Sequence, residues 1–268
     1  MPVYNGGSYL REAIQSLLSQ SHREIELIIS DNASTDDTSA VCQRFAETDS
    51  RVKYFRQKIN RRAKWNFNFV LQQANAPYFM WAAHDDVWDA GWIKVLLQNF
   101  SDTVAISFGH VVNIDKKGRV VRQVPPLHFP GNQRQRMLRY FLAEELNGKA
   151  NIIYGLYRTD LLKKFTMKDY SHCKFGQDMI FVYDYMQYGT VRTDPSILIY
   201  KRIPENTLQN TVAQKNPTLL TIERFRYYIN HIYLTPNLVD KLLLIILMPF
   251  KFFQTIFFKT VFSSRRYF

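Results

Sequence analysis

The first part of the chain alternates between amphipathic stretches of helix length and short apolar stretches of strand length. Apolar residues recur at helical spacing over 9–18, 65–74 and 92–100. The short apolar runs, which have the length of buried strands, lie at 25–29, 52–55 and 78–82. Because strands that alternate with helices are joined by right-handed crossovers, this order predicts an α/β fold with a mainly parallel sheet flanked by helices.

The pattern changes after the third helical stretch. Two apolar runs on either side of a turn at 115–118 predict paired strands over 104–124. Further along, the spacing predicts helices over 133–147 and 178–188 and a strand over 197–203. We therefore expect one α/β domain over 1–205 and a C-terminal helical appendage over 206–268.

The appendage is unusually apolar. Residues 242–250 are almost wholly hydrophobic, but Pro249, Lys251 and Lys259 interrupt the run before it reaches the ~20 residues that a membrane span needs. We expect one or two helices that lie in the membrane interface, with their cations near anionic head groups. The alternative is a helical hairpin that packs on the protein's own core.

Charge and cysteine content narrow the choice of partner and compartment. The chain has 35 Lys and Arg against 23 Asp and Glu, a net charge of +12, which attracts nucleic acid, anionic lipid or phosphorylated ligands. One cationic cluster lies at 56–64, and no nucleic-acid recognition motif accompanies it, so we expect no nucleic-acid partner. The two cysteines have no metal-binding spacing, which is typical of a reducing compartment.

Polar side chains follow two of the predicted strands. Asp31 and Asn32 come directly after one strand, and Asp85 and Asp86 follow another. Open α/β sheets bind ligands at the carboxyl ends of their strands, and a carboxylate pair there is suited to a divalent cation that carries a diphosphate. The alternatives are that Asp31 caps a turn and that the Asp85–Asp86 pair is a solvated loop that caps the next helix.

The order of several motifs resembles family 2 inverting glycosyltransferases. The resemblance is closest over about residues 1–100 and continues more weakly to about residue 190, and only the combination of motifs is specific. The segments that carry it are Pro-Val-Tyr-Asn-Gly-Gly at 2–7, Ser-Leu-Leu-Ser-Gln at 16–20, 26–36, Asp-Asp at 85–86 and Gly-Gln-Asp at 176–178.

The resemblance implies the GT-A fold, of Rossmann type, a nucleotide-diphosphate sugar donor and a divalent cation, Mn²⁺ or Mg²⁺. It implies that Asp86 is the metal ligand and that Asp178 is the general base. The residues that it implies for donor binding are Tyr4 and Asn5 in the nucleotide pocket, Asp31 and Asn32 at the base and ribose, and Asp85 at the ribose or diphosphate. Charge adds Arg62 as a diphosphate contact. For Asp178, the alternative is a helix N-terminal carboxylate that the helix dipole stabilises.

Four positions depart from the pattern of the family. Met1 stands where a buried strand would end, so we expect the true start to lie upstream; a truncated chain is the alternative. Arg62 occupies a position where glycine is usual, and glycine there would allow a positive φ. His84 replaces the first carboxylate of an Asp-x-Asp motif, and Gln177 replaces a glutamate.

The predicted function is inverting transfer of a sugar from a nucleotide-diphosphate sugar to a hydroxyl of a surface polysaccharide or lipid-linked glycan precursor. The predicted location is cytoplasmic, on the inner face of a bacterial cell membrane. The alternative is a catalytically inactive relative that binds nucleotide sugars or glycans at the membrane surface.

Overall fold

The computed structural model describes residues 1–145, 148–165, 173, 175–203 and 217–264, and it confirms the α/β class. Its first sheet has three parallel strands in the order β1-β2-β3. These strands are β1 Pro2–Val3, β2 Leu27–Asp31 and β3 Val52–Arg56, and they alternate with the helices α1 Leu10–Leu18, α2 Thr38–Thr48 and α3 Arg62–Gln73. The periodicity of the sequence therefore located α1, α3, β2 and β3, whereas β1 was not among the predicted strands.

The hydrophobic pattern explains why these elements pack as they do. Every residue of β2 is buried, as expected of a central strand between helical layers. Helix α1 buries one stripe, at the spacing of a single helix face, formed by Leu10, Ala13, Ile14 and Leu17. The β1 and β2 backbones meet at Val3 and Asp31, which brings the loops that follow both strands to one edge of the sheet.

The second sheet is mixed and has the order β4-β8-β6-β9-β5, with β7 paired to β6. Its strands are β4 Tyr78–Phe79, β5 Val87–Trp88, β6 Val104–Ile114, β7 Val120–Gln123, β8 Leu156–Arg158 and β9 Thr190–Arg202. Only β6 and β9 run parallel. The apolar run at 78–82, expected to extend the parallel sheet, pairs antiparallel with β8 instead. Hydrophobicity specified that the run is buried but not which strand it pairs with.

Helices cover the second sheet and hold the later motifs in place. They are α4 Trp92–Gln98, α5 Gln133–Leu142, α6 Thr159–Phe165 and α7 Gln177–Tyr185, with a short 3₁₀ helix at Lys149–Tyr154. An aromatic cluster locks α7 onto the sheet, since Phe181 lies edge-on to Trp81 with their ring centroids 5.4 Å apart. Tyr157 and Tyr185 extend this cluster. Rigid packing at this point fixes the start of α7, where Asp178 lies.

The appendage consists of the helices α8 Pro217–Leu234 and α9 Leu238–Ser264. One face of these two helices packs on the α/β domain and buries Tyr227, Tyr228 and Leu244. Lys251 is also buried, and its Nζ donates to the carbonyl oxygens of Leu142 and Ala143 at 3.1 and 2.8 Å, capping the end of α5.

None of the helices in the described part of the chain combines the length and the apolar character that crossing a bilayer requires. The predicted domain boundary at 205–206 and the cations Arg265 and Arg266 lie outside the described residues.

Candidate functional site

The loops that follow β1 and β2, together with the start of α3, form one edge of the site. Asn32 links them: its Nδ2 donates to Asn60 Oδ1 and its Oδ1 accepts from the Arg61 amide, both at 2.9 Å. Tyr4 is 45% exposed at this edge. Arg62 has φ +68°, a left-handed conformation that favours glycine. The backbone at this position therefore has the positive φ that the usual glycine would allow.

Asp31 and Asn5 are held by the chain's own hydrogen bonds. Asp31 is fully buried, and its two carboxylate oxygens accept from the Ser34 amide at 2.8 Å and from the Tyr54 hydroxyl at 3.0 Å. Asn5 Oδ1 accepts from the Thr35 amide at 2.9 Å. Both residues stabilise the loops at the sheet edge, and their contact with a nucleotide stays a prediction.

Asp86 precedes β5 and is only 1% exposed. Its Oδ1 accepts from the Arg202 amide at 2.9 Å, whereas its Oδ2 is buried and accepts no hydrogen bond from the described residues. Burial raises the pKa of the Asp86 carboxyl to about 7, and the neighbouring charge of Asp85 adds to the rise. A buried carboxylate oxygen without a partner is costly, so this atom is suited to a bound cation.

Asp178 lies in the first turn of α7 and is half-buried. One of its oxygens, Oδ1, accepts from the Met179 amide at 2.8 Å, and burial raises the pKa of the carboxyl. The pKa of the Tyr154 phenol is raised by burial first and then by the charges of Asp86, Asp178 and Asp85. The charges of all three carboxylates therefore act on the Tyr154 phenol, although they come from separate parts of the chain.

Two cations at the end of β9 complete the site, and the sequence analysis did not identify them. Lys201 Nζ donates to Asn151 Oδ1 at 2.7 Å and lies 5.4 Å from the centroid of the Tyr154 ring. Arg202 is buried beside Asp86. The sequence does show two adjacent cations at the end of an apolar strand, but it does not indicate which residues they contact.

Arg202 joins the two halves of the site. Its guanidinium donates to the Asp85 carbonyl at 3.1 Å and to Glu12 Oε2 at 2.6 Å, and it lies 4.2 Å above the Tyr9 ring. Tyr9 and Glu12 follow closely on the loop that carries Tyr4 and Asn5. The edge formed by the loops after β1 and β2 is therefore connected to the Asp85–Asp86 pair through one side chain.

The site provides few protein ligands for a metal. No group of three or more His, Cys, Asp or Glu side chains suited to a metal occurs within the described ranges. Asp86 still fits a divalent cation, because its Oδ2 is free of hydrogen bonds and faces no competing donor among the described residues. Mg²⁺ and Mn²⁺ sites of this kind use one or two carboxylates and complete their coordination with phosphate oxygens and water.

Replacing Arg202 by methionine is expected to destabilise the protein by about 2–4 kcal/mol, because several backbone carbonyls lose a buried charged donor. The change is measured as the free energy of unfolding in urea. Glu12→Gln is the matched comparison: Glu12 is 56% exposed, so losing its ion pair with Arg202 should cost about 0–1 kcal/mol. Equal losses in the two variants would contradict the bridging role.

Comparison with solved structures identifies relatives of the fold. S. aureus TarS 1–349 in complex with UDP-GlcNAc superimposes with a TM-score of 0.58 at 19% identity, covering 84% of this chain and 64% of that one. A mannosyltransferase from Pyrobaculum calidifontis, in complex with GDP-Man and Mn²⁺, gives a TM-score of 0.55 at 16% identity, covering 87% and 61%. The expected GT-A-like fold is confirmed by these similarities.

Two sequence relatives are also glycosyltransferases. An uncharacterized glycosyltransferase of Rickettsia typhi is 26% identical over 220 residues, which are 80% of this chain and 66% of the relative. The GalNAc(5)-diNAcBac-PP-undecaprenol β-1,3-glucosyltransferase of Campylobacter jejuni is 32% identical over 124 residues, 46% of this chain and 40% of the relative. The chain thus spans less than two thirds of the length of these relatives.

The family model for glycosyl transferase family 2 matches residues 1–165. That range contains the loops after β1 and β2 and the Asp85–Asp86 pair, and it is more than half of the 268 residues. The chain therefore belongs to glycosyltransferase family 2.

Proposed function

We propose that this protein is an inverting, divalent-metal-dependent glycosyltransferase that takes a sugar from a nucleotide-diphosphate sugar. Two carboxylates support it, those of Asp86 and Asp178, whose charges both act on the buried Tyr154 phenol. One carboxylate has an unpartnered buried oxygen for a cation, and the other is half-buried with a raised pKa, as a general base requires.

In this proposal, the donor's nucleotide lies against Tyr4, Asn5, Asp31 and Asn32, and Arg62 and Asp85 lie toward its diphosphate and ribose. Asp86 would hold the divalent cation, which supplies positive charge to the departing diphosphate. Asp178 accepts the proton of the acceptor hydroxyl as that oxygen attacks the anomeric carbon. Because attack and departure occur on opposite faces, a single displacement inverts the anomeric centre.

The acceptor is proposed to be a lipid-linked glycan precursor or a surface polysaccharide. The Campylobacter relative is named for an undecaprenol-linked acceptor. The outer face of the appendage also supports a membrane-facing acceptor, since it exposes large apolar residues at helical spacing. They are Ile222, Phe225, Ile229 and Tyr233 on α8, and Leu238, Val239, Leu242, Ile245, Ile246, Phe250 and Phe253 on α9.

The donor is tested by a screen of UDP- and GDP-sugars with Mn²⁺ for thermal stabilisation. A ligand at 100 times its Kd adds about 2.7 kcal/mol of stability, which is a readily measured shift in Tm. The stabilising donor is then incubated with undecaprenyl-diphosphate glycans, and transfer is followed by mass spectrometry. Failure of every nucleotide sugar to stabilise the protein would overturn the proposal.

A location at the inner face of the membrane leads to a prediction about the appendage. Ile246→Asp and Phe250→Asp each place a charge on the apolar face, so both should strongly reduce sedimentation with vesicles containing anionic phosphatidylglycerol. Val120→Asp is the matched control, because Val120 is 56% exposed on β7, away from this face. Equal vesicle binding in all three variants and the wild type would contradict membrane contact.

A catalytically inactive binding relative is the second candidate. It is favoured by the small number of acidic ligands around Asp86 and by His84 in place of a first carboxylate. A donor that binds with Mn²⁺ but is neither hydrolysed nor transferred to any acceptor would favour this candidate over the enzyme.

A further inference from the structure

Lys201 lies near the end of β9, which pairs with β5, the strand that directly follows Asp86. It is the penultimate residue of β9, and its neighbour Tyr200 pairs with Val87, the residue that directly follows Asp86. On the other side, Lys201 is in register with Asn113 of β6. Strand pairing therefore places the Lys201 backbone next to Asp86, although the two residues are 115 positions apart in the sequence.

The ammonium of Lys201 is held by neutral groups. Its Nζ donates to the amide oxygen of Asn151 and lies over the face of Tyr154. An ammonium has three donors, and Asn151 uses one of them. Both anchoring residues belong to the short helix 149–154, which keeps the charge in place without neutralising it.

The charge acts on both functional carboxylates from beyond ion-pair distance. Lys201 lowers the pKa of Asp86 and of Asp178, in each case against the larger effect of burial. No carboxylate in the described part of the chain forms an ion pair with Lys201 within 4.0 Å. The Lys201 ammonium is therefore a charge near both carboxylates that neither of them neutralises by an ion pair, so it can attract an anionic ligand.

We propose that Lys201 binds the diphosphate of the donor and supplements the divalent cation in stabilising the departing diphosphate. This inference rests on the proposed function. In the transfer step, the bond between the anomeric carbon and the diphosphate oxygen breaks, and its electron pair remains on that oxygen. The acceptor oxygen forms the new bond, and its proton passes to Asp178. Lys201 transfers no proton and acts by charge and hydrogen bonding.

The role is suited to a site with few acidic metal ligands. Here one buried carboxylate oxygen is available for a cation, and His84 stands where the motif has a second carboxylate. A fixed ammonium adds positive charge to the diphosphate site that does not depend on metal occupancy. Part of the binding energy for the diphosphate should therefore persist when the metal is removed.

The test compares wild type, Lys201→Gln and Lys201→Arg by calorimetry with UDP, UMP, GDP and GMP, with Mn²⁺ and again with EDTA. Lys94→Gln, on the exposed side of α4, is the matched control. Loss of a charge-assisted hydrogen bond should weaken nucleoside diphosphate binding by about 10- to 100-fold in Lys201→Gln. Monophosphate affinity should change less than about twofold, and Lys201→Arg should retain most of the diphosphate affinity.

The outcomes separate the two proposals. If the wild type binds a nucleoside diphosphate and Lys201→Gln binds it equally well, the role of Lys201 is wrong and the proposed function stands. The same conclusion follows if diphosphate and monophosphate affinity fall together. If the wild type binds no nucleoside diphosphate, the proposed function fails, and the role of Lys201 fails with it. Thermal unfolding of each variant establishes that it is folded.

Discussion

Asp178→Asn is expected to lower kcat by about 10²- to 10⁴-fold, the range that a positioned general base contributes. The amide is nearly the same shape as the carboxylate and can keep the hydrogen bond from the Met179 amide, but it cannot accept the proton of the acceptor hydroxyl. Donor affinity should therefore stay within about twofold of wild type. Steady-state transfer kinetics and donor calorimetry measure the two effects separately.

Asp160→Asn is the matched control for this variant, because Asp160 also lies in the first turn of a helix but is exposed on α6. It should leave kcat unchanged. Transfer by Asp178→Asn at the wild-type rate would eliminate the base assignment and leave the alternative, in which Asp178 only stabilises the start of α7 through the helix dipole.

The pH dependence of kcat follows from the same residue. Because burial raises the pKa of Asp178, the carboxyl becomes protonated at a higher pH than an ordinary aspartate, and a protonated base cannot accept a proton. We expect kcat to be highest on the alkaline side and to fall as the pH decreases through that raised pKa. This acid limb should be absent from the residual activity of Asp178→Asn.

Asp86→Asn should lower kcat by about 10²- to 10³-fold, comparable to the loss of one major electrostatic contact in a transition state. It should also make donor binding insensitive to Mn²⁺, since the neutral amide is a poor metal ligand. The same substitution should not destabilise the fold. In wild type, a buried carboxylate oxygen has no hydrogen-bond partner, and replacing the charge by a neutral group removes that cost.

The size of this stability change depends on pH. The pKa of Asp86 in the folded state, about 7, lies above its unfolded value of 3.8, so the folded protein loses stability as the pH rises between these values. Asp86→Asn should therefore have its largest advantage in Tm above pH 7 without metal, and the advantage should disappear near pH 4. A variant that is less stable than wild type at pH 8 would contradict this view of Asp86.

Asp115→Asn provides a contrast of opposite sign. The Asp115 carboxylate accepts from the amides of Lys117 and Arg119, and the Arg119 hydrogen bond lowers its pKa. Its removal should lower Tm at neutral pH, and the loss should shrink as the pH falls through the lowered pKa. Opposite changes in Tm for Asp86→Asn and Asp115→Asn would show that the hydrogen-bond partners of an aspartate, and not its charge alone, determine its contribution to stability.

The sequence by itself determined the local features of this protein. Periodicity located α1, α3, β2 and β3, because apolar spacing reports directly which face of an element is buried, whereas the two-residue strand β1 carried no such signal. Motif order identified the family and pointed to the two aspartates on which the proposed mechanism depends. The positive φ of Arg62 could also be anticipated, since it follows from the residue type usual at that position. Each of these features is encoded within a short segment.

Only the tertiary structure decided the partners of those segments. The amide that holds Asp86 belongs to Arg202, 116 positions away, and the ammonium whose charge acts on both carboxylates is that of the adjacent Lys201. The antiparallel partner of β4 was likewise hidden. A hydrophobic pattern states that a strand is buried but not which strand lies beside it, and the unpartnered Asp86 oxygen exists only because distant strands meet around it.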